Sequence, residues 1–279
     1  MTTLSEFTPE APLVLVGCGN MGQALVRGWL TAGLDPAALM IIDPAANADD
    51  LPEFIGATFL RNGTDVPTDV AARLLLLAVK PQMMNDVLAG LSAIAGANTI
   101  AVSVAAGVTL GQMRRGLPAC QLVRAMPNTP AAVGAGVTGL VAGADVSEED
   151  KALADAVMKA AGKTVWLDDE ALMDAATATS GSGPAYVFHM VEALSAAAVA
   201  AGLSAGEAEA LARQTIIGAA RLMEADMDAS ASTLRERVTS PGGTTAAALE
   251  VLMNTEDGLT ALMTRAVRAA KKRGQELGG

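Results

Sequence analysis

The chain has 279 residues, 51% hydrophobic, 18% charged and only 3% aromatic, enough apolar content for one large core or two ordinary ones. Its formal net charge of −11 disfavours nucleic acid and an anionic membrane surface as partners, since both need a basic footprint, but does not exclude a small anionic ligand in a locally positive pocket. No apolar run reaches the length of a membrane span, residues Met1 to Pro12 lack a leader pattern, and Cys18 and Cys120 imply neither a disulfide framework nor a metal site.

In chain order, Leu13 to Val16 reads as a strand and about Met21 to Ala32 as a helix. Strands are predicted at Ala38 to Ile42, Ala57 to Leu60 and Leu74 to Val79, after which Pro81 opens a helix, as proline can in a first turn. Thr99 to Val104, Gln121 to Ala125, Val137 to Val141 and Thr164 to Leu167 continue the series. These runs are continuously apolar rather than alternating, the mark of a sheet covered on both faces. Residues 1–167 are therefore expected to form a doubly wound α/β domain.

Beyond Leu167 the strand signals stop. Pro184 to Ala201 carries Val187, Met190, Val191, Leu194 and Ala198 on one helical face and ends near Gly202. Ser204 and Glu207 have capping-box spacing and open a helix to about Ala225; Thr233 to Glu236 repeats that spacing. After a glycine-rich break, Ser240 to Gly243, helices are predicted at about Thr245 to Met253 and Gly258 to Leu277. Residues 168–279 thus read as an all-helical domain. Its alanine-rich apolar faces would be covered more fully by a second copy; the alternative is that they only cover the first domain.

Gly17-Cys18-Gly19-Asn20-Met21-Gly22 is a G-x-G-x-x-G that follows a strand and opens a helix, the setting in which this motif marks a dinucleotide site. Gly17 suits the tight turn, Gly19 the approach of the pyrophosphate and Gly22 close helix–strand packing, with the helix N-terminus serving the phosphates. Asp43 stands where an acid would grasp the adenosine ribose hydroxyls, and equally where an aspartate would cap the turn before Pro44. Arg61 and Arg73 are the nearest basic candidates for a 2′-phosphate, although neither lies in the loop just after Asp43. Ala78-Val79-Lys80-Pro81 ends the fourth strand at the edge where open α/β sheets bind ligands, and Lys80 there either faces a cofactor or is simply solvated. Thr239 to Thr245 places a glycine pair among hydroxyl residues at a helix start. Its amides could bind a carboxylate, or the segment could be an ordinary loop. His189, the only histidine, lies mid-helix and is expected to be packed or hydrogen-bonded rather than catalytic.

Six segments, in order along essentially the whole chain, resemble pyrroline-5-carboxylate reductases: Gly17 to Leu25, Ala78 to Gln82, Ser103 to Val108, Arg124 to Pro130, Ser180 to Tyr186 and Val238 to Thr245. The resemblance implies an N-terminal Rossmann-type domain, an all-helical dimerisation domain, and a cytoplasmic homodimer or larger oligomer of dimers. It implies reduction of 1-pyrroline-5-carboxylate to L-proline with NADPH or NADH and no metal. It further implies that Ser240, Gly242, Gly243 and Thr244 hold the substrate carboxylate, and that Thr245 hydrogen-bonds the ring nitrogen as the catalytic group. Ala78, Val79, Lys80 and Pro81 would line the nicotinamide-ribose side with Asn128 nearby, while Gly17 to Gly22 and Asp43 serve the rest of the dinucleotide. Two departures bear on cofactor choice. Asp43-Pro44 replaces the polar or basic loop of NADPH-using members, and Asp65 lies nearer than Asn62 to the slot of the family's adenosine-side asparagine. NADH is therefore expected to serve at least as well as NADPH. A β-hydroxyacid dehydrogenase of similar plan would use a lysine base after the linker, and Asp169 to Ala197 contains none.

Overall fold

The computed structural model describes residues 4–278. The described strands β1 (Leu13–Val16), β2 (Leu39–Ile42), β3 (Thr58–Leu60), β4 (Leu74–Leu77), β5 (Ile100–Ser103), β6 (Gln121–Met126), β7 (Gly136–Ala142) and β8 (Gly162–Trp166) form one sheet in the order β3-β2-β1-β4-β5-β6-β7-β8. Only β7 runs antiparallel to its neighbour β6; the other pairings are parallel. The order 3-2-1-4-5-6 is that of a Rossmann-type fold, here extended by two strands.

Helices α1 (Asn20–Thr31), α2 (Met84–Gly90), α3 (Leu110–Gly116) and α4 (Glu148–Lys159) cover the sheet. Alternation within the central strands feeds two separate cores. Leu13, Leu15, Leu74 and Leu76 pack with Trp29 of α1 and Val157 of α4, while Val14, Val16, Leu75 and Leu77 pack with Leu88 of α2 and Met113 of α3. Each fully buried aliphatic side chain contributes about 1.5–3 kcal/mol of transfer free energy. Helices α1 and α4 cross closely. A Cβ on Gly28 would stand 2.4 Å from the Ala160 carbonyl oxygen, and the buried Trp29 indole donates to the Val157 carbonyl at 2.8 Å.

The chain divides into two compact units, one reaching Ser182 and including the stretch from Lys271 onward, the other running from Gly183 to Ala270. Residues 168–182 pack with the sheet. There α5 (Met173–Ala176) and a π-helical turn (Thr177–Gly181) bury Met173 and Ala178, and the Ser180 carbonyl accepts from Asn128 at 3.1 Å.

The second unit contains α6 (Gly183–Ala200), α7 (Ala205–Ala225), α8 (Ala231–Arg237), α9 (Thr244–Leu252) and most of α10 (Leu259–Gly278). The expected capping box opens α7, with the Glu207 carboxylate accepting the Ser204 amide at 2.9 Å. The box expected at Thr233 is not there. Ser230 caps α8 by accepting the Thr233 amide at 3.1 Å, which places Thr233 inside the first turn. Ala208 and Ala212 are the buried hydrophobic residues of this unit, and Phe188, Leu211, Leu222 and Val251 all stand exposed. No described helix is long and apolar enough to cross a membrane.

Candidate active site

The carboxyl ends of β1 to β4 enclose a cleft of about 670 Å³ in the first unit, lined by Gly17, Gly19, Asp43, Arg61, Ala78 and Lys80 among others. Its floor depends on missing side chains. Gly17 has φ +94°, and a Cβ there would lie 2.8 Å from the Ala78 carbonyl oxygen, so the glycine loop and the exit of β4 meet backbone to backbone. A Cβ on Gly22 would lie 2.4 Å from the Gly17 carbonyl oxygen, whereas one on Gly19 would meet nothing within 4 Å. Gly19 is therefore the open side of the loop. It also stands at the N-cap of α1, where no side chain caps the helix, so the first-turn amides remain available to an anion. Gln23 steadies the loop by donating to the Cys18 carbonyl at 3.0 Å, and Asn20 and Met21 begin α1.

Asp43 joins two elements. Its Oδ1 accepts the Ala45 amide at 2.8 Å, the turn cap before Pro44, and its Oδ2 accepts the Cys18 amide at 2.7 Å. Its half-buried carboxylate still lines the cleft, with two of about four acceptor sites unused by these bonds. Burial, and then the Asp43 charge, push the Cys18 thiol up to about 11, so at neutral pH it is a protonated space-filler. The Cys120 thiol is likewise raised by burial, also to about 11.

The structure separates the two arginines. Arg61 lines the cleft; Arg73 pairs with Asp150 at 2.9 Å and donates to the Asn98 carbonyl at 3.2 Å, away from it. Asn62 lines the cleft, while Asp65 turns to accept the Asn62 amide at 3.0 Å. Ala78, Val79 and Lys80 line it too, and Pro81 opens the tight helical turn leading into α2. Asn128 is buried and spans two segments, donating to the Ser180 carbonyl at 3.1 Å and accepting the Val137 amide at 2.9 Å. It is not among the residues that line this cleft. Thr64 and Met83 also line it; neither belongs to a motif, and each is carried there by the segment it follows, Arg61-Asn62 and Ala78 to Gln82 respectively.

In the second unit, Ser240-Pro241-Gly242-Gly243 makes a turn closed by the Gly243 amide on the Ser240 carbonyl at 3.0 Å, with Gly242 at φ +68°. Proline followed by a left-handed glycine is the requirement of a type II turn. Gly243 is the N-cap of α9 and has no side chain to occupy the helix's first amides; a Cβ there would lie 2.4 Å from the Ser240 hydroxyl oxygen. Thr244 and Thr245 are the first two residues of α9. The Thr239 hydroxyl donates to the Arg235 carbonyl at 2.6 Å. His189 is exposed and its Nδ1 pairs with Glu192, one turn along the same helix, at 2.9 Å. Among the described residues no His, Cys, Asp and Glu cluster suits a metal ion.

Residues 170–277 match the family model described as pyrroline-5-carboxylate reductase dimerisation, and residues 12–107 match that described as NADP oxidoreductase, coenzyme F420-dependent. The chain is 38% identical over 266 residues to the pyrroline-5-carboxylate reductase of Haemophilus influenzae, covering 95% of this chain and 97% of that protein. It is similar to the solved pyrroline-5-carboxylate reductase of Coxiella burnetii, with a TM-score of 0.87, 36% identity, and 97% and 99% of the two chains covered. It is also similar to the Plasmodium falciparum pyrroline carboxylate reductase solved with NADP bound, with a TM-score of 0.78, 27% identity, and 98% and 100% covered. With 38% identity sustained over 95% of its length, the chain belongs to the pyrroline-5-carboxylate reductase family.

Proposed function

We propose that the chain reduces 1-pyrroline-5-carboxylate to L-proline, using NADPH or NADH held in the cleft at the ends of β1 to β4. The observation that carries this reading is the open glycine loop, Gly19 at its unobstructed side, within a chain that matches such reductases along nearly its whole length. Gly17 to Gly22 receive the pyrophosphate, Asp43 the adenosine ribose, and Ala78, Val79, Lys80 and Pro81 the nicotinamide ribose. Asn128 acts at a remove, fixing the segments around Val137 and Ser180.

The substrate's carboxylate is assigned to Ser240, Gly242, Gly243 and Thr244, where the Gly243 amide already closes the turn on Ser240 and the Thr244 amide is one that α9 leaves uncapped. Thr245 is assigned to the ring nitrogen. A protonated cyclic imine is already electrophilic, so no strong base, nucleophile or metal is needed and the protein mainly positions and orients. The nicotinamide, when bound, supplies the hydride. C5 of the ring gains it, the C=N double bond becomes a single bond, and the nitrogen keeps its proton as a secondary amine.

The exposed apolar faces of the second unit support a homodimer, or a larger assembly built from dimers. A cytoplasmic setting accords with two cysteines that are both free and buried. The test is direct. Purified protein mixed with 1-pyrroline-5-carboxylate and NADPH or NADH should lose reduced-nicotinamide absorbance and accumulate L-proline. Oxidation that does not depend on the imine, or none with either cofactor, would refute the activity.

A further inference from the structure

We propose that Arg61 is the residue that receives the 2′-phosphate of NADPH, so that cofactor choice is set from the end of β3. The proposal rests on the dinucleotide reading of the cleft. Ile42 of β2 pairs with Leu60 of β3, and the Asp43 amide donates to the Leu60 carbonyl at 3.0 Å. Asp43 and Arg61 therefore leave adjacent strand ends side by side, and both line the cleft. The end of β2 is where the adenosine ribose of a dinucleotide is gripped. A carboxylate there favours a 2′-hydroxyl and repels a 2′-phosphate unless a cation intervenes.

Arg61 can be that cation. Among the described residues it forms no ion pair, whereas Arg27, Arg73, Arg114 and Arg124 are each joined to a carboxylate. The other cation lining the cleft, Lys80, follows β4, on the far side of β1 from Asp43. The turn after Arg61 is seated firmly. Asp65 holds the Asn62 amide, and a Cβ on Gly63 would stand 2.5 Å from the Gly90 carbonyl oxygen at the end of α2. A guanidinium so placed offers a planar pair of donors suited to a phosphate. With it present, the repulsion from Asp43 on which a preference for NADH was expected is offset.

The experiment is equilibrium titration of the full-length protein and of Arg61→Ala and Arg61→Lys with NADPH, NADH and 2′,5′-ADP, read by nucleotide fluorescence or calorimetry. Arg61→Ala should weaken NADPH and 2′,5′-ADP at least about tenfold, or about 1.4 kcal/mol. NADH should move by no more than about twofold, and Arg61→Lys should fall between. Equal weakening of NADPH and NADH, or no change in either, would overturn the assignment while leaving the cleft as the cofactor site. Unmodified protein that binds neither dinucleotide would instead overturn the cleft reading, and the assignment with it.

Discussion

Thr245 is half-buried in the first turn of α9, and its hydroxyl bonds to no other described residue. Thr239, six positions earlier, has the same side chain but donates it to the Arg235 carbonyl in the last turn of α8 at 2.6 Å. The contrast leaves Thr245, like the exposed Thr244 beside it, with a hydroxyl free for a ligand, and of the two Thr245 is the half-buried one. Thr245→Ala should lower kcat/KM by roughly one to two decades, the equivalent of a lost hydrogen bond of about 1.5–3 kcal/mol. Thr245→Ser should be mild, because it keeps the hydroxyl. Unchanged kinetics in a folded Thr245→Ala protein would remove the residue from the mechanism. Asp43 teaches a related lesson. A ribose ligand and a turn cap look like alternatives in the sequence, but a carboxylate has acceptors enough for both, and the structure shows the cap in place with the group still facing the cleft.

At the scale of elements, Asp155 of α4 ties that helix to the edge strand β8. Its carboxylate accepts from the Thr164 hydroxyl at 2.6 Å and the Trp166 indole at 3.2 Å, and pairs with Lys159 at 2.6 Å. Burial pushes the Asp155 carboxyl up, but the bonds from Lys159, Thr164 and Trp166 outweigh it and hold the group below its ordinary 3.8. A depressed carboxyl stabilises the fold above its unfolded pKa, and that stability is lost as pH falls through the folded value. Asp155→Ala should therefore cost about 1–2 kcal/mol at pH 7, measured by denaturant unfolding. The gap from the unmodified protein should narrow once the pH drops below about 3.8; a gap constant across that range would show that packing, not the carboxylate, makes the difference.

Elements of this kind were legible where the signal is local. Leu74 to Leu77 could hardly be anything but a buried strand, and Ser204 with Glu207 marked the start of α7. Ser230, Ser232 and Thr233 crowd one helix start, so spacing alone chose the wrong cap. Arg61 could not be placed beside Asp43 without the β2–β3 pairing, nor could the partner of Asn128 be found, since Ser180 lies 52 residues away.

The whole molecule has an unbalanced core. The sheet unit buries leucines on both faces, whereas the helical unit buries only Ala208 and Ala212 among its described hydrophobic residues. A groove of about 750 Å³ between α6 and α7 is lined by Phe188, Val191 and Ile217, and Phe188 is 64% exposed. A second copy would cover such a surface, and in a two-fold dimer each substitution is made twice. Burying a phenylalanine contributes about 1.5–3 kcal/mol, so Phe188→Glu should weaken the dimer by about 3–6 kcal/mol, roughly two to four decades in Kd. Ile55→Glu, at a site 78% exposed in the sheet unit, should leave association unchanged. Each chain also carries −11, so added salt should tighten the unmodified dimer by screening the mutual repulsion. Sedimentation or light scattering across a dilution series, with activity followed in parallel, reads all three effects. An unmodified protein that stays monomeric and fully active at every concentration would show that the apolar faces of α6 and α7 are not held against a second copy.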